Sequence, residues 1–347
     1  MNLPVLPMIG KTMRRLCIAA LATAIFAAAI AAPALFSQRT AAAELAPLVV
    51  YAQPGTNADS LWMAEAKGFF KDEGLDVQIR LFPSGTTAIQ SFKTGAGDIM
   101  YSGDLPALQY WQRGGAYRMI APSERDAKGY VAVSTNDIKT AKDLIGKTIA
   151  TRVGSTGSWF VSEYLAKNGI DEKSLTIKNL DPPLMPAALC RGDIAAFFIW
   201  EPTPSKTLEI CGDKVHYLST ADGYIKGYSV FGARPEWLAT PEGADKAKRF
   251  LRAVRKGATV AASDFPATAA YLNQKFGLSE KDVRQQADII ERVLKFDKVF
   301  FDDFCGENRW QERTGQQNGP SDLGKWIWPD GLRSIDPALV VAPPPPC

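Results

Sequence analysis

The chain is poor in the residues that most hydrolytic and metal chemistry uses. It has one histidine, His216, in 347 residues. A Ser-His-Asp triad needs a histidine and histidine-based metal sites usually need several, so neither is expected here. No two cysteines stand in Cys-x-x-Cys spacing, which argues against a zinc site. Neither the Gly-x-x-x-x-Gly-Lys-Ser/Thr phosphate loop nor Gly-x-Gly-x-x-Gly is present, so nucleotide binding is not indicated. No basic stripe interleaved with aromatics suggests nucleic acid. Acid–base catalysis by carboxylates alone survives these absences.

Long apolar runs are also missing. Leu16–Ala32 is shorter and more alanine-rich than the ~20 residues a membrane span needs. Lys11, Arg14 and Arg15 precede it, and Ala41-Ala42-Ala43 follows. This is the layout of an export leader over residues 1–43, with a cleavage site at its end. The formal charge of +3 belongs to that leader. Removing Lys11, Arg14, Arg15 and Arg39 from 40 basic residues leaves 36 against 37 acidic ones, a net of −1.

Four cysteines remain beyond the leader: Cys190, Cys211, Cys305 and Cys347. An exported chain with an even number permits disulfides, and four cysteines allow three connectivities. Cys190 and Cys211 flank one strand and its returning helix at the same end, which favours pairing them. Cys305 and Cys347 then follow by elimination.

From Leu48 onward, strand and helix patterns alternate: "PLVVYA", "ADSLWMAEAKGFFKDEG", "LDVQIRLF", "TTAIQSFKTG", "DIMYS", "LPALQYWQRGG" and "YRMIAP". A second alternating set runs from "YVAVS" to "KVHYLS". Such alternation predicts an α/β fold with parallel-dominated sheets and helices on both faces. From Glu242 the pattern is helical, through "SEKDVRQQADIIERVLK"; the Gly/Asn/Trp/Pro-rich tail that follows suggests irregular chain. "KGYVAVS" and "KGYSVFGARPEW" bracket the second set and suggest two crossing strands, near 129–134 and 227–233. The expected division is therefore lobe 1 at 44–128 plus 234–347, and lobe 2 at 129–233, closing by a hinge on a central cleft.

In such sheets ligands sit beyond the carboxyl ends of the strands, at helix N-termini. The junctions offer Gln53, Thr56 and Asn57; then Ser84, Gly85 and Thr86; then Asp104; then Ser155, Thr156 and Trp159; and last Trp200 and Glu201. Singly, each hydroxyl suits an ordinary helix N-cap. Together, "SGTT" and "GSTG" in opposite lobes suit a small anion held by hydroxyls and N–H groups. Asp104, Glu201 or Asp222 would answer an amine, and Trp159 and Trp200 would supply apolar walls.

The phrases "FPSGTTAIQSFKTGAGDI", "YSGDLPAL", "KTAKDLIGKTIATRVGST" and "NLDPPLMPAALCRGDIAAFFIWEP" resemble the periplasmic substrate-binding proteins of ABC importers for taurine, alkanesulfonates and nitrate, with the related thiamine-pyrimidine-precursor binders. The resemblance covers about Leu48–Trp237. It implies a two-lobed, type II-like binding protein, monomeric and without a cofactor, that hands a small-molecule ligand to an ABC permease in the inner membrane. The ligand it implies is a sulfonate-like organic anion or zwitterion. The alternatives are a nitrogen heterocycle, nitrate, or a secreted enzyme using a carboxylate pair. Ser158 stands where many sulfonate and taurine binders have histidine, Gly103-Asp104 is closer to the alkanesulfonate type, and Glu201 replaces an alanine usual in taurine binders.

Overall fold

The computed structural model describes residues 44–347; the expected leader, 1–43, lies outside the described residues. The first alternating set is β1 (Ala46–Ala52), α1 (Asp59–Ala66), β2 (Leu75–Leu81), α2 (Gly85–Phe92), β3 (Ile99–Gly103), α3 (Asp104–Gln112) and β4 (Arg118–Asp126). The second is β5 (Tyr130–Thr135), β6 (Thr148–Thr151), α4 (Thr156–Lys167), β7 (Thr176–Asn179), α5 (Met185–Cys190), β8 (Ala196–Trp200), α6 (Thr203–Cys211) and β9 (Val215–Thr220). Then come β10 (Gly227–Ala233), α7 (Pro241–Ser263), α8 (Phe265–Phe276), α9 (Glu280–Ala287), β11 (Glu291–Arg292) and α10 (Lys298–Arg313).

These strands make two mixed sheets, ordered β11-β4-β10-β3-β1-β2 and β7-β6-β8-β5-β9. In the first, β1 runs parallel to β2 and β3, while β10 is antiparallel to β3 and β4. In the second, β6 is parallel to β7 and β8, and β5 is antiparallel to β8 and β9. Antiparallel pairing enters both sheets beside the crossings, so parallel pairs do not dominate as the alternation predicts. The crossings themselves are shorter than expected. β5 lies wholly in the second sheet and β10 wholly in the first, so the chain passes between sheets only at 127–129 and 221–226. Residues 227–233 therefore belong with the first sheet.

Local sequence explains most elements. Ser84 and Thr87 form a reciprocal capping box at the start of α2, and Thr240 caps α7 through the Gly243 N–H. Helix α7 buries Ala247, Phe250, Leu251, Val254, Ala258 and Ala261, a helical stripe. Gly257 lies on the same face, where a Cβ would come 2.0 Å from the Ser60 carbonyl oxygen, so α7 packs closely on α1 only with glycine there.

Two tail expectations are corrected. The helix expected through Lys295 stops at Ala287, because Glu291–Arg292 pairs with β4 and Arg292 reaches the buried Asp59. The supposedly irregular tail opens with the 16-residue α10, whose N-cap Asp297 accepts from the Phe300 N–H. Disulfides join Cys190 to Cys211 and Cys305 to Cys347.

Helix α10 serves two cores. Its first half puts Phe300, Phe301 and Phe304 into the core around the first sheet. Near its other end Trp310 enters the core of the second sheet, with Trp159, Phe160 and Tyr164.

Candidate functional site

The strand ends of both sheets converge on one narrow cavity. Gln53, Pro54, Gly55, Asn57 and Ala58 line it from the loop after β1. Tyr101 and Gly103 line it from β3, Ser229 from β10, and Gly85 and Pro106 from the first turns of α2 and α3. From the other side come Tyr130 of β5 and Trp200 of β8, with Ser155 and Thr156 at the start of α4. None of these lining residues is Lys, Arg, Asp or Glu. The walls are amide, hydroxyl, glycine, proline and aromatic.

Glycine lets the walls meet. A Cβ on Gly85 would come 2.7 Å from that of Ser102, and one on Gly103 would come 2.9 Å from the Thr156 hydroxyl. Asp104 sits behind that contact, fully buried. Its carboxylate accepts from the Thr156 hydroxyl at 2.6 Å, the Tyr228 N–H at 2.6 Å and the Leu105 N–H at 2.8 Å. Burial pushes its pKa up to about 6, against the pull of those three donors. The Thr156–Asp104 bond joins the two sheets' halves, as does the bond from Arg152 Nε to Thr86 Oγ1 at 2.7 Å.

A family model described as NMT1/THI5 like matches residues 56–269, from the first cavity loop into α8. The chain belongs to the NMT1/THI5-like family. Among relatives of this family member, a putative binding protein of Brucella abortus is 25% identical over 239 residues, 68% of each chain. The taurine-binding periplasmic protein of Escherichia coli is 29% identical over 177 residues, 49% of this chain and 55% of that one. The alkanesulfonate-binding protein SsuA of Xanthomonas axonopodis, solved with MOPS bound, superposes with a TM-score of 0.71 at 18% identity, covering 83% of this chain and 99% of that one. The fold is thus that of the periplasmic binding proteins.

In this NMT1/THI5-like chain, Gln53, Asn57, Gly85, Ser155, Thr156 and Trp200 lie on the cavity, among the residues expected there. The others do not line it. Thr56 is buried with its hydroxyl unpartnered, and Ser84 spends its hydroxyl on the α2 cap. Thr86 faces Arg152, and Asp104 stands one layer back. Trp159 turns onto Trp310, ring centroids 5.5 Å apart, beside a separate groove. Glu201 turns into the second sheet, accepting from the Ser205 N–H (3.0 Å), the Ser205 hydroxyl (2.6 Å) and Tyr217 (2.9 Å). Its carboxyl is raised above the usual range by burial. Asp222 is exposed beside Lys128, 3.9 Å away, at the crossings. For Ser84, Asp104 and Glu201 the cause is local: a hydroxyl or carboxylate at a strand end satisfies nearby backbone N–H groups before it reaches the cleft.

Tyr101, Tyr130, Pro54, Pro106 and Ser229 line the cavity without having been singled out. Tyr101 was findable: it lies two residues before Gly103 on β3, and so on the same face of the strand. Tyr130 is paired in register with Trp200, which only the antiparallel β5–β8 ladder reveals.

The bridging bond supports a direct test. Thr156→Val is expected to weaken solute binding roughly tenfold, because it strands a buried carboxylate that lost one donor. Titration calorimetry on both proteins checks this, and equal affinities would show that the Thr156–Asp104 bond does not hold the bound form.

Proposed function

We propose that this protein is the periplasmic solute-binding component of an ABC importer, closing two lobes by a hinge on a small organic solute. The lobes would centre on the two sheets, with the crossings at 127–129 and 221–226 as the hinge. The observation that carries this reading is an uncharged cavity built from both halves, with the first residues of α2 and α4 on its wall. Helix N-termini and hydroxyls would take a sulfonate-like head, and Trp200, Tyr101 and Tyr130 would face the apolar remainder. The names of the relatives above support a sulfonate class.

The positions of Asp104, Glu201 and Asp222 count against a zwitterion. None of these carboxylates lines the cavity, so an ammonium would meet dipoles and no counter-charge. A non-zwitterionic alkane- or arylsulfonate fits better than taurine. The amide-rich, aromatic wall also favours a second reading, a neutral nitrogen heterocycle. An enzyme using Asp104 and Glu201 as a carboxylate pair is disfavoured, because neither lines the cavity and both are engaged by hydrogen-bond donors.

A thermal-shift screen of sulfonates, nitrate and pyrimidines, followed by calorimetry on each hit, tests this reading. A sulfonate or pyrimidine that binds without being consumed supports it. Chemical turnover of the bound solute would overturn it.

A further inference from the structure

Helices α2 and α3 flank a groove of about 320 Å³ that adjoins the central cavity, with Pro106 in the wall of both. An enclosed space of roughly 150 Å³ already admits a benzene ring, so the groove has room for a ringed solute. From α2 and its C-cap come Thr86, Ile89, Gln90 and Lys93. From α3 and its C-cap come Pro106, Gln109, Tyr110 and Arg113. Each set falls at i, i+3, i+4 and i+7, so one face of each helix turns to the groove. Gly154, beside the cavity residue Ser155, adds a wall from the other half.

The charges in this groove are of one sign. Its lining holds Lys93 and Arg113 and no carboxylate, whereas the groove beside Trp159 carries Glu163, Asp302 and Asp303. Neither cation has an ion-pair partner among the described residues. Lys93 Nζ lies 5.5 Å from the centre of the Tyr110 ring, and Tyr110 stands one turn before Arg113. Both cations therefore sit at the same end of the groove, next to an aromatic ring. Each also follows the last turn of its helix, where a cation answers the C-terminal carbonyls. That role explains each charge singly and does not require the two to share a groove.

A second observation lies one turn back along α3. Gln109 is 7% exposed, and its Nε2 donates to Gln316 Oε1 at 2.9 Å. Its Oε1 accepts from no described donor and lies 3.9 Å from where a Cβ on Gly154 would stand. A nine-tenths buried amide thus keeps a free acceptor at the groove wall, four residues, or about 6 Å, along α3 from Arg113.

We propose that the α2–α3 groove is a second binding site, for a flat organic anion whose sulfonate or carboxylate meets Lys93 and Arg113. The body of that anion lies on Ile89 and Tyr110, and a neutral N–H or O–H at its far end donates to Gln109 Oε1. The site is separate from the central cavity, so it stands whichever class of solute that cavity takes.

Calorimetry at neutral pH and low salt tests this, with 4-aminobenzenesulfonate, 4-aminobenzoate and the neutral 4-aminobenzenesulfonamide as probes. Titrations in the Trp200→Ala background keep the central cavity from masking the groove. At least one of the two anions should bind, and the sulfonamide should bind roughly tenfold more weakly. Adding Lys93→Gln with Arg113→Gln should weaken that anion roughly tenfold and leave the circular dichroism unchanged. Adding Lys93→Arg with Arg113→Lys, which keeps both charges, should retain most of the affinity. The proposal is overturned if neither anion binds, or if the sulfonamide binds as tightly as the anions. It is also overturned if the glutamine variant melts earlier but binds the anion as before, since the cations would then serve the helix ends alone.

Discussion

Trp200→Ala is expected to weaken solute binding about 100-fold, because a large aromatic wall at the centre of a closed site carries a disproportionate share of affinity. Trp200 ends β8, paired in register with Tyr130, and the two rings enter the cavity from the second sheet. The substitution should leave the unliganded protein folded. β8 is held by its ladders to β5 and β6, and its buried residues Phe197, Phe198 and Ile199 are untouched. Circular dichroism would then overlay that of the wild type while ligand-induced stabilisation disappears. Unchanged affinity would make Trp200 a residue of the second sheet's packing alone.

The second large effect is expected at Trp310, far along the chain from the cleft motifs. Its indole is 3% exposed, stacks near Trp159 and donates to the Ser162 hydroxyl at 3.2 Å. Nearby, Arg313 pairs with Glu163 at 2.5 Å. Removing such a ring from a packed core costs about 3–5 kcal/mol, so Trp310→Ala should lower the denaturant midpoint markedly. Because α10 also sits in the first core, the variant should in addition loosen the two halves. Small-angle scattering of the unliganded protein would show a larger radius of gyration. A stability loss with an unchanged radius would make Trp310 a filler of one core and no bridge between two.

How much of this was legible before the structure depends on how local the information is. The alternation that marks strands and helices needs only a few neighbours, and it located nearly every element from β1 to β9. The choice of loop was legible too, since glycine and hydroxyl residues at strand ends announce helix N-termini. The direction of each side chain was not. Glu201 and Asp104 stand at the expected junctions, yet Ser205, Tyr217, Thr156 and the Tyr228 N–H draw them off the cavity. Those partners lie 4 to 124 residues away, and no short motif holds them. The tail failed for a related reason. Glu291–Arg292 leaves a helical pattern for an edge strand because Asp59 and Arg125, distant in sequence, supply ion pairs. Disulfide pairing was within reach, because Cys190 and Cys211 flank a single strand–helix unit.

The sharing of α10 between two cores bears on how this protein can be cut and recombined. Residues 130–220 form one uninterrupted stretch carrying every strand of the second sheet, and so look like a module for excision or exchange with a relative. Their core, however, also contains Leu105 and Trp310, which that stretch does not encode. A chimera made by swapping 130–220 would import a socket without its tryptophan. The transferable unit is 130–225 together with the start of α3, which carries Leu105, and the C-terminal half of α10, pieces far apart in the chain.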